Sequence, residues 1–160
     1  CRRQSVELLT RLVRLASRQQ TTVCLVLLDL DQFKQVNDCH GHEMGDRVLK
    51  TFGTMLQQTF RGEDVVARWG GEEFVVGLYD TSKALAVERM TAFLEQFVQY
   101  AFELDEGTGK QMFRVSFSGG VASYPADGTT IQVLYQRADE ALYEAKAAGR
   151  SRVLPAKTNT

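Results

Sequence analysis

Residues 68–76 read RWGGEEFVV, two strand-like runs that meet at two glycines and two glutamates. A Gly-Gly dipeptide suits the positive φ of a tight hairpin turn, so residues 64–68 and 72–79 are predicted as strands on either side of Gly70-Gly71. This stretch decides the fold class. Strands joined only by helices would form a parallel sheet, whereas a hairpin inside the alternation predicts a mixed, largely antiparallel sheet flanked by helices. The two carboxylates pose a separate question, because adjacent like charges repel unless water or a cation screens them.

Working outward, residues 23–30 (VCLVLLDL) form a continuous apolar, partly β-branched run that ends in acids. Such a run fits a strand covered on both faces. Residues 5–18 place Val6, Leu9, Leu12 or Val13, and Ala16 at helical spacing, and Val48, Leu49, Phe52, Met55, Leu56 and Phe60 follow the same period. A further helix is predicted from Ser82, with Leu85, Met90, Phe93, Leu94 and Phe97 among its apolar positions. Residues 103–110 are polar and hold two glycines, which reads as a loop. Residues 113–123 read as a strand interrupted by Gly119-Gly120, and residues 125–128 as a turn. Residues 131–148 read as a helix stopped by Gly149, with Val153 and Leu154 as a last short strand.

With 160 residues the chain is long enough for one domain with its own core. Its 44% hydrophobic and 24% charged content is that of an ordinary globular protein, which argues against a disordered or fibrous chain. A net charge of −1 provides no global basic field for nucleic acid, so any phosphate must be met by locally placed cations. The longest apolar run, residues 23–28, is far too short to cross a bilayer, and no secretory pattern opens the chain. Cys1, Cys24 and Cys39 lack CxxC spacing and predict reduced thiols in a cytoplasmic protein. The first residue is not Met, which suggests a fragment of a longer chain whose missing upstream part would carry any membrane anchor.

Asp29 and Asp31 stand two apart at the end of the first predicted strand and share a face if the strand stays regular that far. If the strand beginning at Glu72 neighbours it, three or four carboxylates converge at one edge. Hard oxygen ligands of this kind suit Mg²⁺, which takes one or two carboxylates together with phosphate oxygens and water. Successive strand residues face opposite ways, so Glu72 and Glu73 are expected to differ in role. The following stretch, DLDQFKQVNDCHGHEMGD (29–46), adds Lys34, an ammonium within reach of a metal-bound triphosphate. It also holds Asn37 and Asp46. A carboxylate can accept from both N1–H and the exocyclic amine of guanine, a pattern adenine lacks. The alternative is that Asn37 and Asp46 are a helix terminus and cap. Lys146 and Arg150, four apart, would share a helix face, and could equally be ordinary cations of a last helical turn. Trp69 reads as packing beside the turn, and His40 and His42 as structural loop residues.

Together these segments resemble the GGDEF-domain diguanylate cyclases. The resemblance rests on Gly70-Gly71-Glu72-Glu73-Phe74, the GGEEF form of the signature, with DLDQFKQVND (29–38), GHEMGD (41–46), ARWGGEEF (67–74), SGGVASYP (118–125) and RADEALYEAKAAGR (137–150). It implies an α/β, palm-like domain with a central sheet of about five strands, similar to class III nucleotidyl cyclases. The implied reaction joins two GTP into cyclic di-GMP with release of two pyrophosphates, across a homodimer. By the same resemblance Asp29, Glu72 and the backbone carbonyl of Leu30 would hold Mg²⁺, two ions per site with Mn²⁺ as a substitute, and Glu73 would help activate the attacking 3′-hydroxyl. Phe33, Lys34, Asn37, Asp46, Lys146 and Arg150 would bind substrate, Asn37 and Asp46 at the guanine.

Residues 61–64 read RGED, and a bare RxxD pair is weak. It lies just upstream of the signature, where the family carries a product-binding inhibitory site, so the resemblance implies that Arg61 and Asp64 bind cyclic di-GMP. Two departures from the family pattern stand out. Glu43 replaces the more usual Asp, and of the family's lead-in only Arg2-Arg3 is present. The leading function is an active cyclase regulated by an upstream sensor domain; the alternative is a non-catalytic module that senses GTP or cyclic di-GMP. Retention of Asp29, Lys34, Glu72, Glu73 and Lys146 favours the enzyme. A cyclase for another purine is disfavoured by Asn37 with Asp46, and a polymerase palm by the short, near-neutral chain. No GxxxxGK[ST] loop is present.

Overall fold

The structure, a computed structural model, describes residues 2–60, 62–106 and 109–158. Helix α1 (Arg2–Gln19) leads into β1 (Val23–Leu30), followed by α2 (Phe33–His40), α3 (His42–Thr59), and the hairpin β2 (Val65–Gly70) and β3 (Glu73–Tyr79). Then come α4 (Lys83–Val98), a second hairpin of β4 (Phe102–Glu106) and β5 (Gly109–Phe113), β6 (Phe117–Tyr124), α5 (Ile131–Ala147) and β7 (Val153–Pro155). The main sheet has the order β2-β3-β1-β6-β7. Every pairing in it is antiparallel except the parallel β6–β7 edge. The hairpin at Gly70-Gly71 therefore produces the mixed sheet expected from it.

Strand β1 is buried along its whole length because helices cover both faces of the sheet. Cys24, Val26, Leu28 and Leu30 face a core built with α2, α3 and α4, and Val23, Leu25 and Leu27 face a second one under α1 and α5. The two-residue period of one strand thus feeds two cores. Helix α4 starts at the Ser82 cap, whose hydroxyl accepts from the Leu85 amide at 3.2 Å.

Three local expectations are corrected. Residues 103–106 and 109–110 are strand and not loop, and 107–108 lie outside the described residues. Phe102 and Leu104 are buried while Glu103 is exposed, so β4 is an amphipathic strand, and Phe102 stacks on its cross-strand partner Phe113 at 5.5 Å. Phe113 accordingly belongs to β5, and the following strand begins at Phe117. Residues 33–40 form a helix that the spacing alone did not predict, since Phe33 and Val36 are its sole buried side chains. His40 and His42 consequently lie at helix ends and not in a loop, on either side of Gly41 (φ 89°), and the His40 ring stacks on Phe113 at 4.3 Å. Among the described residues, no helix is long and apolar enough to cross a membrane.

Candidate active site

The register β1–β3 pairs Asp29 with Glu73, so both carboxylates project from the same face at the end of the sheet. Glu72 lies in the turn itself. Its carbonyl accepts from the Leu30 amide at 3.2 Å, which holds the turn against the end of β1. Gly71 adopts φ 51°, and its carbonyl accepts two hydrogen bonds from Arg68, from Nε at 3.0 Å and Nη2 at 2.7 Å. Arg68 thereby closes the signature turn, a role visible in sequence only as an arginine three residues before a glycine. Glu72 and Glu73 differ because one lies in the turn and the other begins β3, and not by facing opposite sides of one strand.

Asp31 does not join them. Strand β1 ends at Leu30, and the Asp31 carboxylate accepts from Ser118 Oγ at 2.6 Å, Ser116 Oγ at 2.7 Å and the Ser151 amide at 3.0 Å. Its charge is spent tying β6 and the segment after α5 to β1, so the acidic group is Asp29, Glu72 and Glu73. Burial, first of all, and then Asp29 push the Glu73 carboxyl above its usual range; Asp139 and Glu72 add to this and Lys146 opposes it.

Lys146 Nζ donates to Asp29 Oδ2. The other oxygen, Oδ1, is buried without a partner, an orphaned acceptor beside the turn. Among the described residues no three His, Cys, Asp or Glu side chains converge as a complete protein cage. The carboxylates of Asp29 and Glu72 are hard oxygen donors that suit Mg²⁺, whose coordination is completed by substrate phosphates and water. A cavity of about 180 Å³ is lined by Asp29, Leu30, Phe33, Lys34, Glu72, Lys146 and Arg150, alongside Asp31 and Gln32. Lys146 and Arg150 meet there by a different route from the one expected. Helix α5 ends at Ala147, and Gly149 (φ 117°) and Arg150 (φ 62°) leave the helix, so they share a cavity but not a helix face.

Asn37 and Asp46 lie outside this cavity, where α2 meets α3. A Cβ on Gly45 would stand 3.0 Å from Asn37 Cγ and 3.2 Å from Phe33 Cζ, so the glycine lets the Asn37 amide lie against α3 beside Asp46. Asp46 is exposed and borders a groove of about 510 Å³ shared with Lys50, Gly53, Arg68 and Phe74. Asp64 sits at the far end of the hairpin, accepting from the Tyr79 amide at 3.1 Å with Arg89 at 3.7 Å. Arg61 lies outside the described residues. Tyr135 and Asp139, which sequence reasoning passed over, lie on α5 within electrostatic reach of Glu73; their four-residue spacing on a helix that also carries Lys146 was the available signal.

The family model "Diguanylate cyclase, GGDEF domain" matches residues 1–152. The chain is a GGDEF domain. It belongs to a family of enzymes that synthesise cyclic di-GMP and depend on metal ions. The GGDEF domain is 38% identical over 96% of its length to the response regulator PleD of Caulobacter vibrioides, covering 33% of that protein. It is 35% identical to diguanylate cyclase A of Treponema denticola, over 90% of this chain and 38% of that one. It thus spans about a third of the curated relatives it matches. Among solved structures, the active GGEEF domain of a Vibrio cholerae diguanylate cyclase superposes with a TM-score of 0.89 at 28% identity, covering 99% of this chain and 97% of that one. The GGDEF domain of DgcB from Caulobacter crescentus, solved in complex with c-di-GMP, gives 0.88 at 27% identity, over 98% and 88%.

Proposed function

We propose that this domain condenses two GTP into cyclic di-GMP and two pyrophosphates, as the catalytic module of a longer, sensor-regulated signalling protein. One observation carries the reading: Asp29, Glu72, Lys34, Lys146 and Arg150 surround one cavity, and one oxygen of the Asp29 carboxylate is buried without a partner. Asp29, Glu72 and the Leu30 carbonyl would hold Mg²⁺, two ions per site with Mn²⁺ as a substitute. The metal would supply charge neutralisation for in-line displacement at an α-phosphorus. Lys34, Lys146 and Arg150 bind the phosphate chain, with Phe33 packed beneath it. Asp46 accepts from the guanine edge, and the Asn37 amide supplies both a donor and an acceptor there. Glu73, with its raised carboxyl pKa, is poised to take the proton of a 3′-hydroxyl. Each domain holds one GTP, so turnover requires two domains face to face.

Arg61 and Asp64 form a product site that slows turnover, and Arg89 beside Asp64 brings a further cation to that end. Binding titrations test this separately: Arg61→Ala should weaken cyclic di-GMP binding, and unchanged affinity rejects the site. The function itself is tested by incubating the protein with GTP and Mg²⁺ and separating products by chromatography. Cyclic di-GMP is expected from the wild type and none from Glu72→Ala, which should keep its fold by circular dichroism. GTP bound without turnover, at high protein concentration, would instead favour a sensing module.

A further inference from the structure

The β2–β3 ladder carries an irregularity immediately before the signature. Arg68 pairs with Phe74 and Gly70 with Glu73, so two steps along β2 match one along β3 and Trp69 is the extra residue of a bulge. A bulge re-aims its side chain and leaves that residue outside the ladder, so its position must be fixed by other contacts. The Trp69 ring finds them on both of the helices that cover this face. Tyr135 of α5 stacks on it with ring centroids 5.4 Å apart and planes 30° from parallel. Arg2, in the first turn of α1, places its guanidinium carbon 4.7 Å from the ring centroid. The same guanidinium lies over the signature glycine, with Nη2 3.5 Å from where a Gly70 Cβ would stand.

We infer that Trp69, held between Arg2 and Tyr135, is a positioning residue for Glu72 and Glu73, and that it couples the placement of α1 to the signature turn. This rests on the cyclase reading above. The stack is the contact through which two helices from opposite ends of the chain grip the bulged strand. The bulge lies two residues before Gly71, whose positive φ sets the path of the turn, so a change in its twist displaces Glu72. Burial and then the charges of Glu73 and Asp139 raise the Tyr135 pKa, so the stack lies within electrostatic reach of the carboxylate that would take the proton. A slide or rotation of α1 would move Arg2 off the ring and loosen the turn without touching any substrate-binding group.

The test uses Arg2, which is exposed and whose truncation leaves both cores intact. Arg2→Ala should lower kcat roughly two- to fivefold, the worth of an exposed cation–π contact, with KM for GTP unchanged. Arg2→Lys should restore most of kcat, because an ammonium can occupy the same ring face. Trp69 is the chain's single tryptophan, so its emission reports on the stack directly. Arg2→Ala should shift that emission to the red and raise acrylamide quenching, and Arg3→Ala should change neither emission nor rate. An unchanged kcat in Arg2→Ala, or an equal loss in Arg3→Ala, overturns the inference. Should the wild type make no product, the cyclase reading fails on its own. The response of Trp69 emission to GTP with Mg²⁺ then decides the inference, support coming from a shift that Arg2→Ala abolishes and rejection from none.

Discussion

At the scale of single residues, Glu73 has the environment that most constrains its behaviour. Burial and the carboxylate of Asp29 raise its pKa above the unperturbed 4.5. A carboxyl raised by folding stabilises the native state below its unfolded value and loses that contribution as pH rises through the folded value. In metal-free buffer Glu73→Gln should therefore unfold at a higher temperature than wild type at pH 7, with the difference vanishing below pH about 4. Thermal melts across pH check this, and a lower midpoint at neutral pH rejects it. Cysteine chemistry offers an independent residue-scale test. Cys24 is buried, donates to the Thr81 carbonyl at 3.1 Å, and is pushed up to about 12, chiefly by burial. Cys39 is exposed. Alkylation at pH 8 followed by peptide mapping should label Cys39 and spare Cys24 until denaturant is added. The alternation of acids around the signature was legible at this scale. The fate of Asp31 was not, since its partners Ser116, Ser118 and Ser151 are more than eighty residues away in the chain.

Among the elements, β6 and α5 pack backbone against backbone. A Cβ on Gly120 would stand 2.5 Å from the Leu142 amide nitrogen and closer still to the Ala138 carbonyl oxygen. Backbone cannot yield as a flexible side chain can, so Gly120→Ala should cost more than about 3 kcal/mol in urea unfolding. Full stability in that variant would show that α5 can lift from the sheet. This close approach explains why Gly119-Gly120 does not break a strand: the glycines admit a helix backbone on one face and the Leu28 side chain on the other. Element type was legible wherever a period ran long, as in α1, α3, α4 and α5. It failed for α2 and for the β4–β5 hairpin. Two apolar contacts in eight residues set no helical period, and a short strand with one polar face looks like a loop until Phe102 meets Phe113.

For the molecule as a whole, the larger core is organised around Phe52, fully buried on α3. Its ring meets Phe74 of β3 at 4.9 Å, Phe97 of α4 at 4.9 Å and Phe117 of β6 at 5.2 Å, joining three parts of the chain. Phe52→Ala should destabilise by roughly 3–5 kcal/mol, measured as a lowered midpoint of chemical unfolding with an unchanged m-value. A smaller loss would mean that α3 collapses into the space. Because Phe74 also ends the signature, this variant should weaken the site as well as the core. The sequence by itself determined the hairpin, the mixed sheet, the acids at its edge and the family, because local periodicity, turn chemistry and short motifs are written in neighbouring residues. Only the tertiary structure decided which carboxylates share a face and which is consumed by serines. It alone brought Lys146, and Arg150 from beyond the end of α5, to the cavity that Asp29 lines, and Arg2 over Trp69. Those outcomes depend on strand register and helix packing across the whole chain, and no local window contains both partners.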